Sequence, residues 1–258
     1  MDADAQRVAE LVQRLRAAGC VFAEDEAALI IEASASSGDV DRLASERETG
    51  LPLEHVLGWA DFAGIRVPVD RGVFVPRPRT EYLIASAVER LSAGATLLDL
   101  CCGSGAVAAA IASRTPASIY ATDIDPTATA NAARTLAPWG GTVVTGDLYD
   151  GLPVSLSGSL DMITIIAPYV PTEEIALLPH EARDFEPLAA LDGGSDGLAI
   201  LRRALAEAPQ WLKPGGVLLT EVAEHQAAAV VRALAAAGLP ASVLTDDEST
   251  VVVGQKPA

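Results

Sequence analysis

The run Ala95-Thr-Leu-Leu-Asp-Leu-Cys-Cys-Gly-Ser-Gly105 limits what this chain can fold into more than any other stretch. Ala95 to Leu100 is an apolar run of strand length, and the small-residue turn Cys101-Cys102-Gly103-Ser104-Gly105 follows it. Ala106 to Ser113 is then alanine-rich, with Val107 and Ile111 at helical spacing. Strand, glycine turn and helix open a nucleotide-binding βαβ unit, in which backbone must approach a ligand closely. The next apolar segment, Ser118 to Thr122, closes on Asp123-Ile124-Asp125, and Pro126 can begin a helix as its first residue. A carboxylate at the tip of a second strand, about 20 residues past the glycine turn, suits the paired hydroxyls of an adenosine ribose. Asp123 is placed to bind and Asp125 to cap the helix.

The turn reads Asp99-x-Cys101-x-Gly103-x-Gly105, not the G-x-G-x-x-G of dinucleotide sites. That spacing resembles the S-adenosylmethionine site of Rossmann-like methyltransferases. Cys101 and Cys102 could be read as thiol nucleophiles, but small-residue packing beside a cofactor suits the turn better.

Composition narrows the partners. The 18 basic and 35 acidic residues leave a net charge of −17. Such a field repels phosphate backbones and forfeits counterion release, so no nucleic-acid partner is expected. The clearest basic cluster, Arg71 with Arg77 and Arg79, is short and interrupted by prolines. No apolar run reaches the roughly 18 residues of a membrane span, so no membrane partner is expected either. The start, Met1-Asp-Ala-Asp-Ala-Gln6, lacks the basic-then-apolar form of a signal peptide. Three cysteines make no disulfide framework, which points to a reducing cytoplasm. His55, His180 and His225 stand far apart, so no metal site is expected and each reads as a surface or packing residue.

Along the chain, Val8, Leu11, Val12 and Leu15 recur at i, i+3, i+4 and i+7 and predict a helix ended by Gly19. A second helix is expected over Asp25 to Ser36. A third should be capped by Asp39 and stopped by Gly50. These helices form a small N-terminal domain over residues 1–50, too marginal to stand alone and therefore packed on something else. Residues 51–80 read as a linker. Leu51 to Gly58 connects, Trp59 to Phe62 and Ile65 to Val69 form a β-hairpin, and Val73 to Glu81 is extended by its prolines.

Residues 81–258 then alternate β and α. A helix runs from Tyr82 to Leu91. Strands are expected at Thr142 to Thr145, Leu160 to Ile166 and Gly216 to Val222. Helices are expected at Thr127 to Leu136, Leu198 to Leu212 and Gln226 to Ala237. Ala241 to Leu244 and Thr250 to Val253 make a terminal antiparallel pair. The fold class is α/β: a seven-stranded, mostly parallel Rossmann-like sheet with a small N-terminal helical domain.

With these residues placed, the chain resembles the release-factor glutamine N5-methyltransferase family over nearly its whole length. Pro52 to Gly58 and Phe74-Val-Pro-Arg-Pro-Arg-Thr-Glu81 resemble the family's linker. Asp99 to Gly105 resembles its cofactor loop, and Asp123 its ribose-binding acid. Leu178-Pro-His-Glu-Ala-Arg-Asp-Phe-Glu-Pro187 with Leu191-Asp-Gly-Gly-Ser-Asp-Gly197 resembles the segment after its active site, the most family-specific signal. The resemblance implies S-adenosylmethionine as cofactor and methyl transfer to the glutamine of a Gly-Gly-Gln loop in a peptide release factor. It also implies that Phe74 lies near the donor's methionine part, an alternative to a core position. Asp147 is implied to accept from the adenine amino group, an alternative to capping a turn, and Leu148 to stand where some members carry an aromatic beside the adenine.

At the end of the fourth parallel strand the family carries Asn-Pro-Pro-Tyr, and the matching positions here are Ile166, Ala167, Pro168 and Tyr169. An amide nitrogen is a poor nucleophile because its lone pair is delocalised. The family's Asn side chain and the next backbone carbonyl accept from its two N–H groups and aim it at the methyl. Here Ala167 keeps the carbonyl and Tyr169 can stack on the amide, but Ile166 has no side-chain acceptor. One amide N–H left unpaired costs roughly 1–3 kcal/mol. The family's first turn glycine is Cys101 here, tolerable if the backbone angles permit. Two further functions stay open beside glutamine methylation: a related methyltransferase acting on a small molecule in an apolar acceptor pocket, or a cofactor-binding protein with impaired catalysis. A DNA adenine methyltransferase uses a similar motif, but the charge and the missing Asn count against it. Glu221, at the tip of its strand, could touch substrate but reads first as solvated surface.

Overall fold

The parallel alternation is present as the apolar runs predict. The computed structural model describes residues 3–258, so Met1 and Asp2, which begin the expected N-terminal domain, lie outside the described residues. In chain order the elements are α1 (Ala3–Ala17), α2 (Ala23–Ala33), α3 (Ser37–Glu48), α4 (Leu53–Leu57), β1 (Trp59–Phe62) and β2 (Ile65–Pro68). After them come α5 (Glu81–Val88), β3 (Ala95–Leu100), α6 (Ala106–Ala112), β4 (Ala117–Asp123), α7 (Pro126–Leu136), β5 (Thr142–Thr145) and β6 (Leu160–Ile165). The chain closes with α8 (His180–Phe185), α9 (Ala199–Trp211), β7 (Leu212–Val222), α10 (Ala227–Ala236), β8 (Ala241–Thr245) and β9 (Thr250–Gln255).

Among the described residues, seven strands form one sheet in the order β5-β4-β3-β6-β7-β9-β8. β5, β4, β3, β6 and β7 are parallel to one another, and β9 is inserted antiparallel between β7 and β8. The central strands β3 and β6 are buried on both faces because helices cover both, which is why they read as continuous apolar runs. Leu97, Met162 and Leu219 point into one core with residues of α5, α6 and α7. Leu98, Ile163 and Leu218 point into the other with residues of α9 and α10. β1 and β2 form the separate antiparallel hairpin.

The N-terminal helices have their own core. Leu11, Leu15, Ala27, Ile30, Val40 and Leu43 cluster with Leu51 and Val56 of the next segment, and Phe185 packs against them. The expectation that these helices lean on the rest of the chain is met by α8. Arg47, 4% exposed, donates to Glu26 on α2 at 2.6 and 3.1 Å and to Glu181 on α8 at 2.6 Å. One buried guanidinium thus ties two N-terminal helices to the segment that follows β6.

Several local expectations are corrected. The cap of α3 is Ser36, whose hydroxyl accepts from the Asp39 N–H, so Asp39 sits inside the first turn. Ser36 precedes Asp39 by three positions, and both are good caps, so composition alone does not choose between them. The connector after Gly50 holds the short α4. Val8 is 40% exposed and does not join the core. The Val73 to Glu81 stretch ends in a 3₁₀ turn, Pro78–Thr80, and the following helix stops at Val88. β7 begins at Leu212, four residues early, because its pairing with β6 shifts register between Leu160 and Met162. β6 ends at Ile165, which leaves Ile166 in the loop beyond it.

Candidate active site

The carboxyl ends of the parallel strands β3, β4, β5 and β6 open onto a cleft of about 490 Å³, the position where open α/β sheets bind ligands. Every sequence-predicted site residue but one lines it: Phe74, Asp99, Cys101, Cys102, Gly103, Ser104, Asp123, Asp147, Leu148, Ile166, Ala167, Pro168 and Tyr169. Gly105 lies one residue behind, at the N-cap of α6, with φ +78°. A Cβ there would sit 3.1 Å from the Ala132 backbone of α7, so glycine is what lets α6 and α7 approach.

The turn is held from β4. Gly103 N–H donates to Asp123 Oδ2 at 2.9 Å and Asp125 N–H to Asp123 Oδ1 at 3.0 Å. Asp125 in turn accepts from Thr127 N–H and caps α7, as expected of it. Burial raises the Asp123 pKa, against the pull of its backbone donors. Asp99 is deeper, 2% exposed at the end of β3. Thr164 Oγ1 donates to its Oδ1 at 2.7 Å, and Oδ2 has no partner among the described residues. Burial pushes its pKa up to about 7, opposed by the Thr164 bond, with the Asp123 charge adding to the rise.

Cys101 adopts φ +55°. The backbone there is left-handed, so the side chain that replaces the family's glycine is strained, at a cost of about 1–3 kcal/mol. Burial raises the pKa of both cysteine thiols, first among the causes, and the nearby carboxylates add to it. Both thiols stay protonated and neither is an activated nucleophile. Leu148 is the other strained position at the cleft, with φ +54°. Asp147 beside it pairs with Arg203 of α9 at 2.7 Å.

The loop after β6 is fixed by the Leu191-to-Gly197 segment and by Gln226, which lies outside every motif read from the sequence. Val170 N–H donates to the Leu191 carbonyl, and the Val170 carbonyl accepts from Gly193 N–H. A Cβ on Gly197 would lie 2.1 Å from the Tyr169 carbonyl oxygen, which explains why this segment carries glycine where it passes the loop. Gln226, 3% exposed, donates to the Tyr169 carbonyl at 3.0 Å and to Asp196 O at 3.2 Å, and accepts from Ala223 N–H. No motif in the sequence marks Gln226; its partners lie 57 and 30 residues away.

The Leu178-to-Pro187 segment forms one wall of the cleft through Leu178, Pro179, Glu181, Ala182 and Pro187. Two arginines clamp it: Arg47 through Glu181, and Arg77, which donates to buried Glu186 at 2.6 Å. Glu186 also accepts from Val75 N–H. The arginines that read as a basic cluster are therefore spent on carboxylates, Arg71 on Glu46, Arg77 on Glu186 and Arg79 on Glu221. Glu221 is not solvated surface: it is 3% exposed, because Arg79 and the Thr245-to-Thr250 loop cover the end of β7. Phe74 is half-buried on the cleft wall with the Arg77 guanidinium 4.7 Å from its ring centre. Among the described residues no group of His, Cys, Asp or Glu could hold a metal ion.

The residues present fit an adenosine that carries a cationic tail. Asp123 offers two carboxylate oxygens at the tip of β4, where a ribose is expected, and Asp99 offers a buried oxygen that has no donor among the described residues. Sheet order, glycine turn, strand-end acid and cleft together define a Rossmann-like methyltransferase. A methyltransferase-domain family model matches residues 97–185. A methyltransferase structure from Pyrococcus furiosus superposes with a TM-score of 0.56 at 18% identity, over 76% of this chain and 90% of that one. The release factor glutamine methyltransferase of Gloeobacter violaceus is 38% identical over 195 residues, 73% of this chain and 67% of the relative. The chain belongs to the release factor glutamine methyltransferase family. It spans about two thirds of the length of such relatives. A 4-amino-L-phenylalanine/4-methylamino-L-phenylalanine methyltransferase of Streptomyces pristinaespiralis is also 36% identical, over 74% of this chain and 68% of the relative. Among the described residues no helix is long and apolar enough to cross a membrane.

Proposed function

We propose that the protein uses S-adenosylmethionine to methylate the side-chain nitrogen of the glutamine in the Gly-Gly-Gln loop of a peptide release factor, in the cytoplasm and without a nucleic-acid or membrane partner. The observation that carries the reading is the junction of two half-sites in one cleft: the Asp99-to-Gly105 turn with Asp123, and the loop Ile166 to Tyr169. When bound, the cofactor supplies an electrophilic sulfonium methyl.

The chain's own residues do the rest. Asp123 holds the ribose hydroxyls while keeping the turn in place through Gly103 N–H. Cys101, Cys102 and Ser104 shape the turn around the methionine part, with Phe74 on the opposite wall. Asp147 and Leu148 flank the adenine. On the acceptor side the Ala167 carbonyl accepts one amide N–H, and the Tyr169 ring supports the flat amide, its backbone pinned by Gln226 and Gly197. These groups orient the nitrogen toward the methyl, which is catalysis by positioning. Ile166 packs against the apolar core and leaves the second N–H without an acceptor. The N-terminal helices, bound to the cleft wall through Arg47, hold the protein acceptor.

A second reading is favoured by Ile166 itself: an apolar residue at that position suits a small acceptor with an aromatic or aliphatic body, as for the relative named for an amino-acid substrate. The test between the two is the mass of the tryptic Gly-Gly-Gln peptide after incubating the release factor with enzyme and cofactor. One added methyl, on glutamine and lost in Asp123→Ala, supports the first reading. An unmodified peptide alongside methylated small amines supports the second.

A further inference from the structure

The cleft does not end at Tyr169. Tyr169 and Arg79, both on the wall of the donor cleft, also line a second pocket of about 320 Å³. It lies between the carboxyl end of β7 and the Thr245-to-Thr250 loop that joins β8 to β9. The loop and Arg79 make one wall, because Ser249 Oγ donates to the Arg79 carbonyl at 2.6 Å. Five carboxylates line this pocket, those of Glu221, Glu224, Asp246, Asp247 and Glu248, against the single guanidinium of Arg79.

The carboxylates are not equivalent. Asp246 serves its own loop by accepting from the N–H groups of Glu248 and Ser249. Glu224, Asp247 and Glu248 are exposed at the rim. Glu221 is the floor: its side chain is 3% exposed, Oε1 accepts from Arg79 Nε at 2.9 Å, and Oε2 has no partner among the described residues. A buried carboxylate oxygen without a donor is costly unless a ligand supplies one. The pocket's excess of negative charge favours a ligand that carries positive charge, and the chain's net charge of −17 draws such a ligand in from solution.

We propose that this second pocket binds a cationic group, an ammonium or guanidinium, carried by the molecule that is methylated. Glu221 Oε2 takes its hydrogen bond and the rim carboxylates complete its charge. The inference rests on the methyl-transfer reading of the adjoining cleft, since Tyr169 separates the cation from the reacting atom. The group is either a lysine or arginine side chain near the methylated residue of a protein, or the free amine of a small acceptor. The pocket makes acceptor choice depend on a charge held apart from the nitrogen that receives the methyl.

The test is calorimetric titration of the full-length protein with L-arginine amide and with agmatine, first alone and then with S-adenosylhomocysteine present. Binding that weakens at least 10-fold in Glu221→Gln, falls with added salt, and leaves S-adenosylhomocysteine affinity within 2-fold is the expected result. Should Glu221→Gln not fold, the exposed pair Glu224→Gln with Glu248→Gln carries the same expectation at about 3-fold or more. Absence of binding by either probe, equal affinity in these variants, or competition with S-adenosylhomocysteine overturns the proposal. Two acceptor arms assign the source. A lower KM for an arginine-flanked Gly-Gly-Gln peptide than for its alanine-flanked counterpart, at equal kcat, assigns a polypeptide. Preference for a small amine over both peptides assigns a free amine. If no release factor is methylated, the glutamine reading fails and the probe titrations still decide the pocket.

Discussion

Thr164 Oγ1 donates to Asp99 Oδ1 at 2.7 Å across paired positions of β3 and β6, and Asp99 Oδ2 stays unpaired among the described residues in the floor of the donor cleft. Burial pushes the Asp99 pKa up to about 7, against the hydrogen bonds it accepts. A cation bound beside it favours the ionised form. Binding of S-adenosylmethionine should therefore release a fraction of a proton near pH 6 to 7, and affinity should rise with pH until about pH 7. Titrations in buffers of different ionisation enthalpy measure this directly. Asp99→Asn should remove the proton release; an unchanged value in that variant would show that another group titrates.

Asp123 is the proposed ribose anchor of the donor site. Each of its oxygens already accepts one backbone N–H, from Gly103 and from Asp125. Asp123→Ala removes the ribose acceptors and the turn's brace together. A loss of about 10- to 100-fold in S-adenosylhomocysteine affinity is expected, equivalent to roughly 1.4–2.7 kcal/mol. Wild-type affinity in the calorimeter would end the ribose assignment.

Arg47 is the hinge pin of the N-terminal helices. It is 4% exposed and serves Glu26, Glu181 and the Leu51 carbonyl. Arg47→Ala leaves a buried carboxylate without its partner and should cost about 3–5 kcal/mol of stability. Thermal unfolding checks this, and a variant as stable as wild type would mean the pair carries no weight. Removing the helices outright by starting the chain near Leu51 is a harsher experiment. It would also uncover Leu51, Val56 and Phe185, which share the N-terminal core.

His55 sets an opposite pH trend to that of Asp99. Its Nε2 is 2.8 Å from the Val73 carbonyl and therefore donates, while Nδ1 has no partner among the described residues and burial lowers the pKa below 6.5. As pH falls through 6.5 the unfolded chain takes up a proton that the folded chain resists, so stability declines below that point. For Asp99 the folded chain keeps a proton that the unfolded chain sheds above pH 4, so its contribution improves as pH falls from 7. Melting temperatures between pH 5 and 7.5 for wild type and His55→Asn separate the two. The decline below pH 6.5 should be smaller in the variant; an equal decline would place the titration elsewhere.

The parallel sheet could be read from sequence because each buried strand is a continuous apolar run, and the turn at Gly103 to Gly105 announces its own geometry. The roles that local pattern hides are those set by distant partners. Glu221 follows an apolar strand and reads as an exposed tip, but Arg79, 142 residues earlier, covers it. Glu186 sits in a polar segment, yet Arg77 and Val75 bury it from 109 and 111 residues away. Gln226 looks like an ordinary residue at a helix start and pins the Tyr169 carbonyl. In each case the partner lies on another element, and one sequence without its fold gives no register between them. Cys101 shows the converse: the turn was recognised, but the left-handed φ that strains it is a backbone fact that the side chain does not announce.

In the proposed reaction the loop Ile166 to Tyr169 receives a glutamine amide with half of its usual clamp. Ile166 lies just past β6 on the cleft wall, where asparagine would supply the missing acceptor. Recovering that hydrogen bond and its alignment is worth ~2–3 kcal/mol, or roughly 30- to 150-fold in rate. The measurement is single-turnover methylation of one Gly-Gly-Gln release factor by the wild-type protein and by Ile166→Asn, both saturated with S-adenosylmethionine. Slow transfer by wild type, a roughly 30- to 150-fold gain in the variant and little change in cofactor affinity are expected. Equal rates would contradict the amide clamp, and no transfer by either protein would contradict glutamine as the acceptor.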